Sequence, residues 1–361
     1  MKDLGIYIHW PFCKSKCPYC DFFSAVKRNV DQDEIIAGYL SQLEQYQKLL
    51  NNRHIKSVFF GGGTPSLILP QNIERILNKI QQLWGLDSQT EISLEANPNT
   101  NSATLFADLR NAGINRLSLG VQSFDDHELK FLGRTHNAAQ ALKAIDDMQK
   151  HFSNCSIDLI YALPDQTASS WQQQLQKAVS FALPHISLYQ LTIEEGTIFA
   201  KKNIYSLDEE KAAELYLLTE DFLADKGINK YEVSNYAKTG FASRHNLIYW
   251  QGGEYIGIGP SAHGRLHINN QWFAQTDPIK LEPLTFQERA EEMIIMGLRL
   301  TSGINKASFK SLCGIDFDDF INQKFLKYAL SEQWLCNTST ELYPTKQGFL
   351  LLDKIIEGLC S

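Results

Sequence analysis

From Leu4 to Lys226 the chain alternates short β-like runs with amphipathic helical runs about six times over, and that rhythm constrains the fold more than any other feature. Strands separated by helices pair in parallel through right-handed crossovers, which leaves a doubly wound sheet or a βα barrel. The strands read as Leu4–His9, Ser57–Phe60, Glu91–Glu95, Arg116–Leu119, Ile157–Ala162 and Ile186–Gln190. Asp31–Leu50 reads as a helix with Ile35, Tyr39, Leu43 and Tyr46 on one face, opened by the capping pair Asp31 and Glu34. Pro70–Trp84 turns Ile73, Ile76, Leu77, Ile80 and Leu83 inward and stops at Gly85. Ser102–Asn111, Ala138–His151, Ser169–Ala182 and Asp208–Lys226 complete the helices. The Cys13–Cys20 segment follows the first strand, Gly61-Gly62-Gly63-Thr64 the second and Gln122 the fourth; Glu95 ends the third, Asp158 lies in the fifth and Tyr189-Gln190 closes the sixth. Reactive side chains thus gather at C-terminal strand ends, the rim where barrel enzymes build their sites. Six units rather than eight predict an α/β fold of incomplete parallel (β/α)6 barrel type, open on one side.

Beyond Tyr236 the rhythm breaks. Gly252-Gly253, Gly257, Gly259-Pro260 and Gly264 mark a glycine-rich stretch that reads as irregular. From Leu284 helices dominate: Phe286–Leu300, Asn305–Cys313 and Phe317–Glu332, then a hairpin about Asn337–Tyr343 and a last helix to Leu359. The division is a partial barrel over 1–235, a connecting region over 236–283, and a mainly helical, winged-helix-like unit over 284–361. Such a unit suits nucleic acid or serves as a small lid or docking domain; the segment is not basic enough for a groove binder, in a chain of net charge −7, so the lid or docking role is favoured and no specific nucleic acid is expected. Hydrophobic residues at 43% and charged residues at 21% exclude wholesale disorder. No apolar run approaches the ~20 residues that span a bilayer, and Met1–Gly5 is too short for a signal peptide before the first strand. A cytoplasmic protein is expected.

Three of the seven cysteines, Cys13, Cys17 and Cys20, crowd into eight residues. An odd count, clustered, argues against a secreted disulfide framework and for metal or redox chemistry in a reducing compartment. The C-x3-C-x2-C spacing can hold three corners of a cubane iron–sulfur cluster and leave the fourth iron without a protein ligand. Lys14 and Lys16 offset part of the thiolate charge. Zinc is the competing metal, but a structural zinc site wants four closed ligands. Cys155, Cys313, Cys336 and Cys360 are scattered, and His9 is the one nearby candidate for a fourth.

With this spacing the chain resembles the radical S-adenosylmethionine superfamily, and within it the oxygen-independent coproporphyrinogen III oxidases and their HemW-type haem-chaperone relatives. The matching segments are Tyr7-Ile8-His9-Trp10-Pro11-Phe12-Cys13, Phe60-Gly61-Gly62-Gly63-Thr64-Pro65, Gly120-Val121-Gln122-Ser123-Phe124 and Ile157-Asp158-Leu159-Ile160-Tyr161-Ala162-Leu163-Pro164. The resemblance implies a 4Fe-4S cluster on Cys13, Cys17 and Cys20, and S-adenosylmethionine contacts at Tyr7, Gly62, Gly63, Thr64, Glu95, Gln122, Arg134 and Asp158. Read alone, Gly61–Gly63 lets backbone approach a ligand closely, Glu95 suits a ribose hydroxyl or an ammonium, and Arg134 can clamp a carboxylate. Tyr7 alone would pass for an ordinary strand aromatic.

Three features separate the relatives. The oxidases carry one more cysteine two positions after the third, where this chain has Phe22 following Asp21; they also carry an N-terminal extension, whereas Cys13 comes almost at once here. His245-Asn246-Leu247-Ile248-Tyr249-Trp250 matches the H-N-x-x-Y-W motif of the HemW group. Imidazole is the usual axial haem ligand and flat aromatics suit a porphyrin face, so His245 is the haem candidate. The alternative for His245 is a core histidine with both ring nitrogens satisfied; His263, in another glycine-rich loop, is a second candidate contact. The resemblance implies a chaperone that binds haem and passes it to respiratory haemoproteins, without coproporphyrinogen decarboxylation, and leaves room for a homodimer and for transient contact with membrane-bound acceptors. The alternatives are a radical enzyme of the oxidase type and, more remotely, a zinc-bearing regulator.

Overall fold

In the computed structural model, which describes residues 2–27, 29–99 and 104–361, strand β1 (Lys2–Trp10) sets the pattern. Leu4, Ile6 and Ile8 point outward into the main apolar core beside Ile36, Tyr39 and Leu43 of helix α1 (Gln32–Leu49), while Gly5, Tyr7 and His9 alternate to the inner face. A short parallel pair, β2 (Phe12–Cys13) with β3 (Ala25–Val26), follows at the rim. Next come β4 (Arg53–Gly62), β5 (Glu91–Ala96), β6 (Arg116–Gln122), β7 (Cys155–Tyr161) and β8 (His185–Gln190), each parallel to its neighbour. Helices α2 (Pro70–Leu83), α3 (Leu105–Asn111), α4 (Asp126–Phe131), α5 (Ala138–Gln149), α6 (Ala168–Ser180), α7 (Ile198–Lys201) and α8 (Glu209–Ala224) form or accompany the crossovers. Outward residues such as Val58, Phe60, Leu94, Leu119, Leu159 and Leu188 are buried with the helices in one core. The inward ones, among them Glu95, Arg116, Ser118, Asp158, His185 and Ser187, are polar and line a cavity instead of filling it.

The expected six parallel units are present, and the sheet is wider than they are. Antiparallel β9 (Asn229–Glu232) and β10 (Asn235–Ala237) extend it beyond β8; the next element is helix α9 (Arg244–Trp250). On the other side β11 (Glu254–Ile258) lies parallel to β1 and leads into the antiparallel strands β12 (Gly264–Ile268), β13 (Gln271–Asp277) and β14 (Lys280–Pro283). The twelve-stranded order is β14-β13-β12-β11-β1-β4-β5-β6-β7-β8-β10-β9, with no closing pair among the described residues. The segment read as irregular is therefore largely sheet. Its glycines mark close approach: a Cβ on Gly257 would lie 2.6 Å from the His263 carbonyl oxygen.

Local differences have local causes. Asp31 caps α1 by accepting the Asp33 N–H, and the buried stripe runs through Ile36 rather than Ile35. Ser102, where a helix was expected to begin, lies outside the described residues, and α3 starts at Leu105. In the C-terminal part, α10 (Phe286–Gly297) and α11 (Lys306–Cys313) flank β15 (Ile304–Asn305). The single helix expected over Phe317–Glu332 is two, α12 (Phe317–Phe320) and α13 (Gln323–Ser331), because Ile321 turns extended and the Asn322 side chain accepts the Phe325 N–H to open the second. The hairpin β16 (Leu335–Asn337) and β17 (Glu341–Pro344) joins β15 in a three-stranded sheet, and α14 (Leu352–Cys360) closes the chain. This part has its own core around Ile294, Phe309, Trp334 and Leu342. At Gly303, φ is +67° and a Cβ would sit 2.0 Å from the Leu342 carbonyl oxygen. Gly303→Ala should therefore cost about 2–4 kcal/mol; a thermal denaturation midpoint unchanged from wild type would contradict that packing.

Candidate functional site

The cysteine loop is fixed by backbone before any ligand is considered. The Ala25 N–H donates to the Pro11 carbonyl at 2.7 Å, the Lys27 N–H to that of Cys13 at 3.2 Å and the Cys20 N–H to that of Cys17 at 3.1 Å. All three thiols are free; Cys13 is buried, Cys17 and Cys20 half-buried. The end of β4 is stitched to the loop, Gly63 donating to the Trp10 carbonyl at 2.7 Å and Thr64 to that of Phe12 at 2.9 Å. The contact requires glycine at 63, since a Cβ there would lie 2.7 Å from the Phe12 oxygen and 3.0 Å from Cys13 Sγ. Gly62, at φ +109°, begins the same turn.

A cavity of about 350 Å³ opens between this loop and the strand ends, lined by Cys13, Cys17, Cys20, Gly62, Gly63, Thr64, Glu95, Gln122, Arg134 and Asp158. Ten of the twelve residues singled out in the sequence thus share one space. Gln122 sits at φ +70°, beside a register shift between β6 and β7, a strained backbone position at the rim. Arg134 donates to the Gly120 carbonyl at 2.9 Å, to the Asn97 side-chain oxygen, and across the cavity to Cys17 Sγ and the Tyr19 hydroxyl, both at 3.4 Å. Asn97 also donates to Thr64 Oγ1 at 3.3 Å. Asn97 is a contributor the sequence does not single out; its place directly after a strand that ends in Glu95-Ala96 is the available signal. Tyr189 also lines the cavity.

Electrostatically the floor is acidic and enclosed. Burial, then repulsion by Asp158, pushes the Glu95 carboxyl up to about 8, against the pull of the Gly62 N–H and Arg116. Burial also raises Asp158, although it accepts the Ser118 hydroxyl at 2.9 Å. Burial first, and later the neighbouring Cys17 and Cys13, raises the Cys20 thiol.

The donor set fits a thiolate-ligated multi-iron cluster. Among the described residues no three His, Cys, Asp or Glu side chains converge as a single metal ion would require, whereas three soft sulfurs around a roomy cavity suit a larger cluster. His9, the fourth ligand a zinc site would need, shares hydrogen bonds with the Phe23 carbonyl at 3.1 Å and the Tyr7 hydroxyl at 3.4 Å.

Tyr7 and His245 lie elsewhere, in an inner cavity of about 320 Å³ that shares Glu95, Asp158 and Tyr189 with the outer one. Tyr7 stacks on Phe59, which stacks on His245. His245 is 1% exposed. Its Nδ1 shares a 2.7 Å hydrogen bond with Ser57 Oγ and its Nε2 one with the Tyr249 hydroxyl. Burial, then Arg116, pushes it down to about 3, so the ring is neutral. Of the two roles open in the sequence, this placement displays the satisfied core histidine and offers iron no free nitrogen. His263 is exposed and lines neither cavity.

Residues 7–178 match the family model of the radical SAM superfamily, and residues 284–351 that of the HemN C-terminal domain. The chain is 35% identical to a Buchnera aphidicola protein named heme chaperone HemW, over 99% of this chain and 98% of that one. Identity to the Escherichia coli protein of the same name is 33%, with the same coverage. It is 38% identical to a mitochondrial radical S-adenosyl methionine domain-containing protein 1 of Bos taurus, over 99% of this chain and 87% of that one. Among solved structures it superposes on Escherichia coli coproporphyrinogen III oxidase, HemN, with a TM-score of 0.82 and 20% identity, covering 100% of this chain and 90% of that one; at that identity the likeness is one of fold.

Glu95 gives this geometry a pH signature. Its carboxyl titrates near 4.5 in the unfolded chain and about 8 when folded, so the stability its protonated form contributes is complete below pH 4.5 and is lost as pH rises through 8. Glu95→Gln should thus stabilise the ligand-free protein by about 2–4 kcal/mol at pH 8–9 and by little at pH 5. Denaturant melts at the two pH values check it, and an equal gain at both would refute the buried-acid account.

Proposed function

The chain belongs to the radical SAM superfamily and, within it, to the family of proteins named heme chaperone HemW, and from that premise we propose that it binds haem and hands it to apo-haemoproteins, respiratory ones among them. The observation that carries the reading is the gathering of Cys13, Cys17, Cys20, Gly62, Gly63, Thr64, Glu95, Gln122, Arg134 and Asp158 around one cavity, in a chain aligned over its whole length with proteins of that name.

In this reading the three cysteines hold a 4Fe-4S cluster, which when bound supplies a reducing electron and one iron open to a ligand. Gly62, Gly63 and Thr64 present backbone to S-adenosylmethionine, and Glu95 and Asp158 face its cationic part. Arg134, already bonded to Cys17 Sγ, Asn97 and the Gly120 carbonyl, holds the far wall in place and presents its guanidinium to a carboxylate. Gln122 closes the rim and Tyr7 supports the floor from beneath. All seven cysteines are free, in keeping with a reducing cytoplasm, and no described helix is long and apolar enough to cross a membrane. Contacts with a second copy and with membrane-bound acceptors belong to the same reading. Phe22, 62% exposed, stands where the oxidases carry their extra cysteine, in keeping with a chaperone rather than a decarboxylating enzyme.

Haem ligation by His245 belongs to the proposal as well, and it requires α9 to release one ring nitrogen. The hydrogen bond to Tyr249 is the competitor, so two variants should move in opposite directions. His245→Ala should abolish the haem-dependent absorbance change. Tyr249→Phe, which frees Nε2 at a cost of about 1 kcal/mol in lost hydrogen bonding, should tighten haem binding severalfold. Haem titration of both variants decides, and full affinity in His245→Ala removes that ligand.

The function itself is tested by anaerobic reconstitution with iron and sulfide, then haem and an apo-acceptor, with haem transfer and 5′-deoxyadenosine followed together. Transfer without decarboxylated porphyrinogen is expected. Gly63→Ala, which crowds Cys13 Sγ, should at least halve the iron and acid-labile sulfide retained.

A further inference from the structure

The inward faces of the parallel strands set one cation against three carboxylates. Arg116 on β6 is 2% exposed; among the described residues its Nε has no hydrogen-bond partner, and its nearest acid, Glu91 on β5, stands 4.0 Å away. Glu91 is itself engaged, accepting the N–H groups of Arg244 at 3.0 Å and His245 at 3.3 Å at the start of α9. Two residues along β6, Ser118 pairs in register with Glu95 and donates to Asp158 on β7. Arg116, Glu95 and Asp158 line the same inner cavity, and Arg116 is the one Lys or Arg among its described lining residues.

The other titratable neighbours do not substitute for it. His185 on β8 shares hydrogen bonds with Ser156 Oγ at 2.7 Å and with the hydroxyl of Tyr231 on β9 at 3.0 Å, and is neutral through burial, as is His245 on α9. Tyr7 on β1, Tyr189 on β8 and Tyr249 on α9 are pushed up by burial and stay uncharged. Arg134, from the connection between α4 and α5, spends its donors at the rim. A buried guanidinium with no tight partner is costly. Here it faces two carboxylates that burial, and for Glu95 also repulsion by Asp158, drives towards protonation, and it is among the groups that oppose that drift in both.

We infer that Arg116 is a positioning residue of the outer cavity, its guanidinium favouring the anionic form of Glu95 and Asp158 that a cationic ligand needs, with Glu91 restraining its strength. The inference rests on the reading that this cavity takes S-adenosylmethionine, whose sulfonium and ammonium are cations.

The test compares the reconstituted wild type with R116Q, R116K and E91Q, by calorimetric titration with S-adenosylmethionine from pH 6 to 9 and by infrared titration of the protonated-carboxyl band without it. Wild-type affinity should rise with pH. R116Q should move both midpoints up by about one pH unit, losing roughly tenfold in affinity at pH 7 and recovering it at pH 9. R116K should stay near wild type, and E91Q, which leaves Arg116 less neutralised, should move both midpoints down. A uniform loss in R116Q at every pH, with midpoints unmoved, overturns the inference and leaves Arg116 a packing residue. If wild type binds no S-adenosylmethionine, the reading of the cavity fails, and the infrared midpoints still decide the role of Arg116. Should R116Q not fold, E91Q decides, an unmoved midpoint counting against.

Discussion

Two backbone hydrogen bonds carry the site: Gly63 to the Trp10 carbonyl and Thr64 to that of Phe12. They press the end of β4 against the cysteine loop, so the three thiols face a cavity rather than solvent. Because the bonds are main chain to main chain, the sequence must satisfy one severe demand, the absence of a Cβ at 63, where the loop's own carbonyl and Cys13 Sγ already fill the space. Three of the other cavity-lining residues come from consecutive parallel strands: Glu95 near the end of β5, Gln122 at the strained end of β6 and Asp158 within β7 converge on the same space.

The second constraint is the polarity of the inner face. Barrel interiors are commonly packed with branched apolar side chains, and this one instead carries acids, a guanidinium, serines and two neutral histidines around open space. Burial without full pairing raises the free energy of the ligand-free molecule, and the upward shift of Glu95 is its measure. The expense is confined to one side of the sheet. The opposite side is continuous hydrocarbon beneath the helices, which stabilises the fold independently of whether the cavity is filled.

Much of this was legible in the sequence, for identifiable reasons. Period and composition located the six parallel strands; the cysteine spacing and the family resemblance together singled out the ten residues that line the outer cavity. What was not legible depended on tertiary partners. The meander from β11 to β14 hid behind glycines that look like loop signals but serve close approach between strands. The division at Ile321 turned on a capping asparagine inside an otherwise helical pattern. Whether His245 faces a ligand or the core depends on Ser57, almost two hundred residues away. No local signal contains that information.

An open sheet leaves two lateral borders, and both are defended against adding another strand. At β14 the outermost residues are Lys280, Leu281, Glu282 and Pro283, with Lys280 and Glu282 paired at 2.7 Å; charge and a missing amide make a poor template there. At β9 the backbone is already taken, since Thr301 donates to the Tyr231 carbonyl and Val233 to that of Arg299. Addition of a further strand to either border of this sheet is thereby discouraged without barrel closure.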